Sequence, residues 1–147
     1  MDKKWPWWVA ALLFMVFLYL FTASPVSNAQ HTLSLFSKFG FLSPKAVIVI
    51  DKIVRKMAHF VSFGFLAWLL MKAIQPNPRT YVLAWLLATL YGFSDEIHQI
   101  FVPGRTPLFS DVVIDSFGAA LVLFLSYHTR QRSLLSKPKV IRYLNIK

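Results

Sequence analysis

The chain has 147 residues, the length of one ordinary domain. Apolar residues make up 56% of it and charged residues only 15%, against roughly 25% charged residues in soluble proteins, which excludes a disordered chain and argues against a soluble enzyme. The net charge is +10 and the basic residues flank apolar runs, which indicates anionic lipid and not nucleic acid as the partner. The absence of cysteine excludes disulfides, thiol nucleophiles and thiolate metal sites.

The first apolar run covers residues 5–23 and is long enough to cross a membrane, since about 20 apolar residues span a bilayer core. Three tryptophans at its start, Trp5, Trp7 and Trp8, are typical of the membrane interface. A cleaved signal peptide is the alternative, with small residues for a cleavage site at Ser27–Ala29. The run is longer than the core of a signal peptide, about 7–15 residues, which favours a permanent helix.

Three further apolar runs predict membrane helices over about residues 54–73, 80–100 and 111–128. Ser43 and Asn77 are each followed by proline, the pattern of an N-cap and first helical position, while Ser110 or Thr106 is the candidate cap of the last helix. The prediction is an all-α polytopic membrane bundle with four transmembrane helices. Residues 24–53 would form an extracytoplasmic or interfacial segment and residues 129–147 a basic cytoplasmic tail.

The distribution of Lys and Arg predicts the orientation of this bundle. With both termini in the cytoplasm, the cytoplasmic side carries ten of the 16 basic residues and the other side carries six. Cytoplasmic segments of membrane proteins hold the excess of Lys and Arg. We therefore expect the N-in/C-in topology.

Ionisable residues concentrate at the extracytoplasmic end of the predicted bundle. Five of the six acids lie there, at the ends of the second, third and fourth runs, with two histidines and two arginines at the same depth. A charged group costs roughly 2.5–3.5 kcal/mol at the centre of a membrane helix, so such groups are kept where they pair or face a hydrated cavity. The cluster therefore predicts a functional site. Its members are Asp51, Arg55, His59, Asp95, Glu96, His98, Arg105, Asp111 and Asp115.

Helical spacing orders the cluster on the second and fourth helices. Asp51, Arg55 and His59 recur at every fourth residue and so share one helix face. Asp111 and Asp115 have the same spacing but like charges. This pair needs a cation, a shared proton or an arginine between its members.

The third helix ends in a polar string. Asp95 is spaced to face His98 and Gln99, and Glu96 is spaced to face Gln99. Arg105 follows in the next loop. Its planar guanidinium suits either a bridge between carboxylates or bidentate binding of a phosphate.

Three sequence blocks resemble a known family. They are RKMAHF at 55–60, SDEIHQIFVPGR at 94–105 and DVVIDSFGA at 111–119. On these blocks the chain resembles the VanZ-like family of small multi-pass bacterial membrane proteins, whose namesake is associated with low-level resistance to the glycopeptide teicoplanin. The resemblance implies a protein of the bacterial inner (cytoplasmic) membrane with a role in the cell envelope.

The first hypothesis on function is a site that processes lipid-linked envelope precursors, whose anionic headgroups lie at this depth. Arginine would hold phosphate, histidine would act as acid or base, and the acids would orient the histidine or share a divalent metal ion such as Mg²⁺, Mn²⁺ or Zn²⁺. The candidate catalytic residues are His59, Asp95, Glu96, His98, Arg105, Asp111 and Asp115, and the candidate substrate-binding residues are Arg55, Lys56, Gln99 and Arg105.

The second hypothesis is non-catalytic. The cluster would be a polar lock that joins the helices and presents a binding or scaffold surface for a lipid, an antibiotic or a protein. A small proton-coupled transporter is a variant, because chains of Asp, Glu and His relay protons within membranes. Four helices are few for a transporter, so in this variant the protein would act as an oligomer. The sequence leaves these alternatives open.

Overall fold

The computed structural model describes residues 4–24, 34, 43–74, 77–103, 105 and 107–136. Nearly all of them belong to four helices, α1 (Trp5–Ala23), α2 (Pro44–Ala73), α3 (Pro78–Gln99) and α4 (Phe109–Leu135). The all-α class is confirmed. The cleavage site considered at 27–29, the cap candidate Thr106 and residues 137–147 of the basic tail lie outside the described residues.

Three of the four helices are long and apolar enough to cross a membrane, namely α1, α2 and α4, with 19, 30 and 27 residues. Their outer faces carry exposed apolar side chains such as Leu13 and Phe117, so these helices belong in a lipid bilayer. Helix α3 has 22 residues, about 33 Å at a rise of about 1.5 Å per residue. It is less apolar because Asp95, Glu96 and His98 lie near its end, and its crossing of the membrane stays a prediction.

The first turns of α2 and α3 follow the local rules of helix capping. Ser43 Oγ accepts a hydrogen bond from the Ala46 N–H at 3.3 Å. Asn77 and Thr80 form a reciprocal capping box. Both predicted caps are confirmed. Since α2 begins at residue 44, residues 44–53 of the expected interfacial segment are helical, and α4 likewise continues through residue 135 into the expected tail.

The start of α4 depends on a contact with another helix. Its N-cap is Leu108, which has no side-chain cap. Instead, the Leu108 N–H donates to Glu96 Oε2 of α3 at 2.8 Å. The prediction of Ser110 as the cap is wrong, because Ser110 lies inside the first turn of the helix. A carboxylate from α3 therefore fixes the start of α4.

Helix α2 packs against each of the other three helices. The fully buried positions of the core are mostly small, for example Ala67 of α2, Ala88 of α3 and Ala119 of α4. Small residues let helix backbones approach closely in a membrane, where packing drives association.

The closest approach of α2 and α4 occurs at Gly118. A Cβ atom at this position would overlap the backbone carbonyl of Phe60. Glycine is therefore required for this crossing of the two helices. The crossing also brings His59, which precedes Phe60, opposite Asp115, which lies about one turn before Gly118.

Candidate functional site

Polar side chains from all four helices meet at one end of the bundle. The ends of α1 and α3 lie beside the first half of α2 and the first turns of α4, as the contacts between these helices show. We call this region the polar layer. It consists of Thr22, Asp51, Arg55, Lys56, His59, Asp95, Glu96, Gln99, Arg105, Asp111 and Asp115.

Asp51 and Arg55 form a two-point ion pair along α2. Arg55 Nε and Nη2 donate to the two carboxylate oxygens of Asp51 at 2.6 and 2.9 Å. The spacing of four residues predicts this pair, and the buried carboxylate orients the guanidinium. Arg55 is therefore presented in a fixed geometry instead of extending into solvent.

The like-charged pair of α4 is neutralised by two separate groups of α2. Lys56 Nζ donates to Asp111 Oδ1 at 2.6 Å. His59 Nδ1 faces the two oxygens of Asp115 at 3.2 and 3.4 Å. Each carboxylate thus has its own partner, and no group bridges the two among the described residues. The two contacts also join α2 to α4 across their close crossing.

The third helix contributes two buried carboxylates held by one amide. Gln99 Nε2 donates to Asp95 Oδ2 at 2.9 Å and lies 3.4 Å from Glu96 Oε1, as the spacing along α3 predicts. The other oxygen of Asp95 accepts a hydrogen bond from Thr22 Oγ1 of α1 at 2.8 Å. Sequence reasoning missed Thr22, although a hydroxyl at the end of an otherwise apolar helix was a usable signal.

His98 makes its ring contact with α1 and not with this amide. Its ring packs on Tyr19 of α1 with 3.9 Å between ring centroids. Its Nε2 is buried, and among the described residues this nitrogen has no hydrogen-bond partner. The expected contact between Asp95 and His98 does not appear among the described hydrogen bonds. His98 is therefore placed at the interface of α1 and α3.

A cleft of about 190 Å³ opens beside the polar layer. Its polar lining consists of Thr22, Asp51, Arg55, His59, Ser62 and Arg105, and apolar side chains of α1 and α2 supply the rest. Burial lowers the pKa of Arg105 from its ordinary value, and the positive charge of Arg55 lowers it further. The lining thus carries two guanidinium groups against one carboxylate, that of Asp51, which is paired with Arg55, and this excess of positive charge favours an anion in the cleft.

A second and larger cavity, of about 810 Å³, lies at the opposite end of the bundle. Lys4, Lys72 and Arg130 contribute its charges, and no acid lines it among the described residues. Lys72 Nζ lies 5.4 Å from the centre of the Trp68 ring, a cation–π contact. Among the described residues, this cavity therefore has a basic and apolar lining, in contrast to the mixed acids and bases of the polar layer.

Three side chains of the polar layer are placed to share a metal ion. His59, Asp95 and Glu96 each offer one ligand atom, and these atoms lie within 4.8 Å of one another. Asp111 and Asp115, which the sequence suggested as further ligands, are engaged with Lys56 and with the imidazole of His59.

A protein-family model described as VanZ/LLP1 matches residues 7–130. The matched segment contains all of the polar layer and nearly all of the four helices. Neither the comparison with curated proteins nor the comparison with solved structures finds a significant match.

Proposed function

Because the chain belongs to the VanZ/LLP1 family, we propose that it is a membrane protein whose cleft binds the phosphate-bearing headgroup of lipid-linked cell-envelope precursors and acts on it. The proposal rests on the cleft, whose lining brings Arg55 and Arg105 together with the imidazole of His59. Guanidinium groups bind phosphate oxygens in pairs, and imidazole exchanges protons near neutral pH.

In this proposal, the residues of the polar layer have three separate roles. Arg55, held by Asp51, and Arg105 bind the phosphate. His59 accepts the proton of a water molecule that attacks the terminal phosphorus of a lipid diphosphate, so that the phosphoanhydride bond breaks and inorganic phosphate leaves, and Asp115 orients the His59 ring through Nδ1. Lys56, half-exposed beside Asp111, attracts the anionic headgroup towards the cleft.

The proposed topology has both termini in the cytoplasm and α3 as a fourth span. The polar layer then faces the extracytoplasmic headgroups of the inner membrane. The charges around the larger cavity support this orientation, since Lys4, Lys72 and Arg130 lie together at the end assigned to the cytoplasm. A contribution to glycopeptide resistance, such as that associated with the family's namesake, would follow from access to these envelope lipids.

The polar lock is the second candidate, and a specific observation favours it. Polar contacts connect α1 to α3 through Thr22 and Asp95, and α2 to α4 through His59 and Asp115. Such contacts fix helix packing in membranes. A lock and a binding site differ in their response to a ligand, because only a binding site gains stability from one.

Thermal unfolding of the purified protein in detergent separates the two candidates. We expect a short-chain polyprenyl phosphate to raise the unfolding temperature, whereas the matching polyprenol, which lacks the phosphate, leaves it unchanged. At a ligand concentration of about 100 times Kd, binding stabilises the folded state by about 2.7 kcal/mol. Equal shifts with both lipids, or none with either, would favour the lock.

A further inference from the structure

We propose that His59, Asp95 and Glu96 bind one divalent cation of the Mn²⁺ or Zn²⁺ type. Each residue offers one ligand atom, and the three atoms lie within 4.8 Å of one another. Small side-chain rotations bring such atoms to a common ion, whose bonds to nitrogen and oxygen are about 2.0–2.2 Å long. That the ion helps to hold the lipid headgroup rests on the proposed function. That the protein binds the ion does not.

The contact with Asp115 orients the imidazole of His59 for metal binding. Its Nδ1 faces the carboxylate of Asp115, which is fully buried. With the proton on Nδ1, the ring donates to Asp115 and keeps the lone pair of Nε2 for an ion. A ligating histidine that donates its other nitrogen to a carboxylate is a recurring feature of metal sites.

We call His59, Asp95 and Glu96 the triad. Its two carboxylates each have an oxygen lone pair left to bind a metal ion. Asp95 accepts hydrogen bonds from Thr22 and Gln99, and Glu96 accepts from the Leu108 N–H and lies near Gln99. An ionised carboxylate has about four lone-pair positions. These hydrogen bonds therefore orient both carboxylates and leave at least one position on each for an ion.

The charges around the triad favour a cation. Asp95, Glu96 and Asp115 are all buried, with 3%, 6% and 1% of their surface exposed. The cations of α2 nearby are engaged elsewhere, Arg55 with Asp51 and Lys56 with Asp111. His59 and Arg105 are therefore the basic groups that offset the charge of these three buried acids. A divalent ion would offset the remaining negative charge, which is costly at low polarity.

The donor set indicates the class of ion and its use. One imidazole and two carboxylates suit Zn²⁺ or Mn²⁺ among the divalent ions. Three protein ligands leave coordination positions open, as in metal sites that bind a substrate. His59 also lines the anion-favouring cleft, so a phosphate in the cleft and an ion at the triad would be neighbours. An ion on Nε2 excludes proton exchange by the same nitrogen, so the acid–base role proposed for His59 belongs to the protein without the ion.

The test is a titration of the full-length protein, purified in detergent and stripped with EDTA, with MnCl₂ and separately with ZnCl₂. Calorimetry should detect one ion per chain. His59→Gln, Asp95→Asn and Glu96→Gln should each weaken binding at least about tenfold, and Asp115→Asn by about 10–100-fold, as for other carboxylates behind a metal-bound histidine. The matched control is His128→Gln, an exposed histidine of α4 at the other end of the bundle, which should leave the affinity unchanged.

A spectroscopic readout keeps the test decisive if a variant loses stability. Electron spin echo envelope modulation of bound Mn²⁺ should show coupling to an imidazole nitrogen in the wild type and in His128→Gln, but not in His59→Gln. No saturable binding, or nitrogen coupling that survives His59→Gln, would overturn the metal site. Because this titration contains no added lipid, a protein that binds Mn²⁺ but no polyprenyl phosphate would reject the proposed function alone, and the reverse result would reject the metal site alone.

Discussion

Arg105→Met should weaken the binding of a polyprenyl phosphate by about 10–100-fold. A hydrogen bond to a charged group contributes about 1.5–3 kcal/mol, and each 1.4 kcal/mol corresponds to a factor of about ten in Kd. Arg105 and Arg55 line the same cleft, so the substitution removes one of the two guanidinium groups proposed to hold the phosphate. Calorimetric titration of the purified wild-type and variant proteins with the lipid gives the two dissociation constants.

The matched control is Arg130→Met. Arg130 lines the cavity at the opposite end of the bundle, and the change of charge and of shape is the same. We expect this variant to bind the phosphate lipid with wild-type affinity. Equal losses in both variants would mean that the net charge of the protein, and not the cleft, attracts the lipid.

With EDTA present to keep the protein free of metal ions, His59→Gln should slow the hydrolysis of a polyprenyl diphosphate to its monophosphate by about 10²–10⁴-fold while the protein still binds the lipid. A general acid or base contributes about 10²–10⁴-fold to a rate. Glutamine is similar in size and forms hydrogen bonds, but it does not exchange a proton near neutral pH. Release of phosphate from a polyprenyl diphosphate in vesicles that contain the purified protein measures the rate.

His128→Gln is again the control and should keep the wild-type rate. A His59→Gln variant with unchanged turnover would remove the imidazole from the mechanism. A wild-type protein that binds the lipid but releases no phosphate would contradict this acid–base role and leave a binding protein.

Contacts within one helix were predictable from the sequence. The pairs Asp51–Arg55 and Asp95–Gln99 follow from a spacing of four residues. The caps at Ser43 and Asn77 follow from local rules as well. These features need only the geometry of one helix.

Contacts between helices were not predictable in detail. Both partners of the pair His59–Asp115 were identified from the sequence, but as members of different local groups. Their pairing depends on how α2 and α4 are rotated and on how closely they cross, which Gly118 makes possible. The cap that Glu96 supplies to Leu108 depends in the same way on the path of the chain after α3.

Helix α3 illustrates a conflict between hydropathy and function. Its length suits a membrane span, but its last turns carry Asp95 and Glu96 and lower its mean hydropathy. Both side chains are buried against other helices. An ionisable residue that faces the interior of a bundle costs less than one that faces lipid. The polar groups that α3 contributes to the polar layer also explain why it is not among the three helices that are apolar enough to cross a membrane by composition.

The central claim is that the polar layer faces the outside of the cell, where lipid-linked envelope precursors present their headgroups. The chain has no cysteine, so Thr106→Cys, next to Arg105 in the sequence, carries a single thiol, and Thr129→Cys at the other end of α4 is its counterpart. A membrane-impermeant maleimide applied to intact cells, from which any outer membrane has been removed, should label the Thr106→Cys protein and should label the Thr129→Cys protein only after the membrane is permeabilised. The opposite pattern, with label at position 129 and none at position 106 in intact cells, would contradict the account.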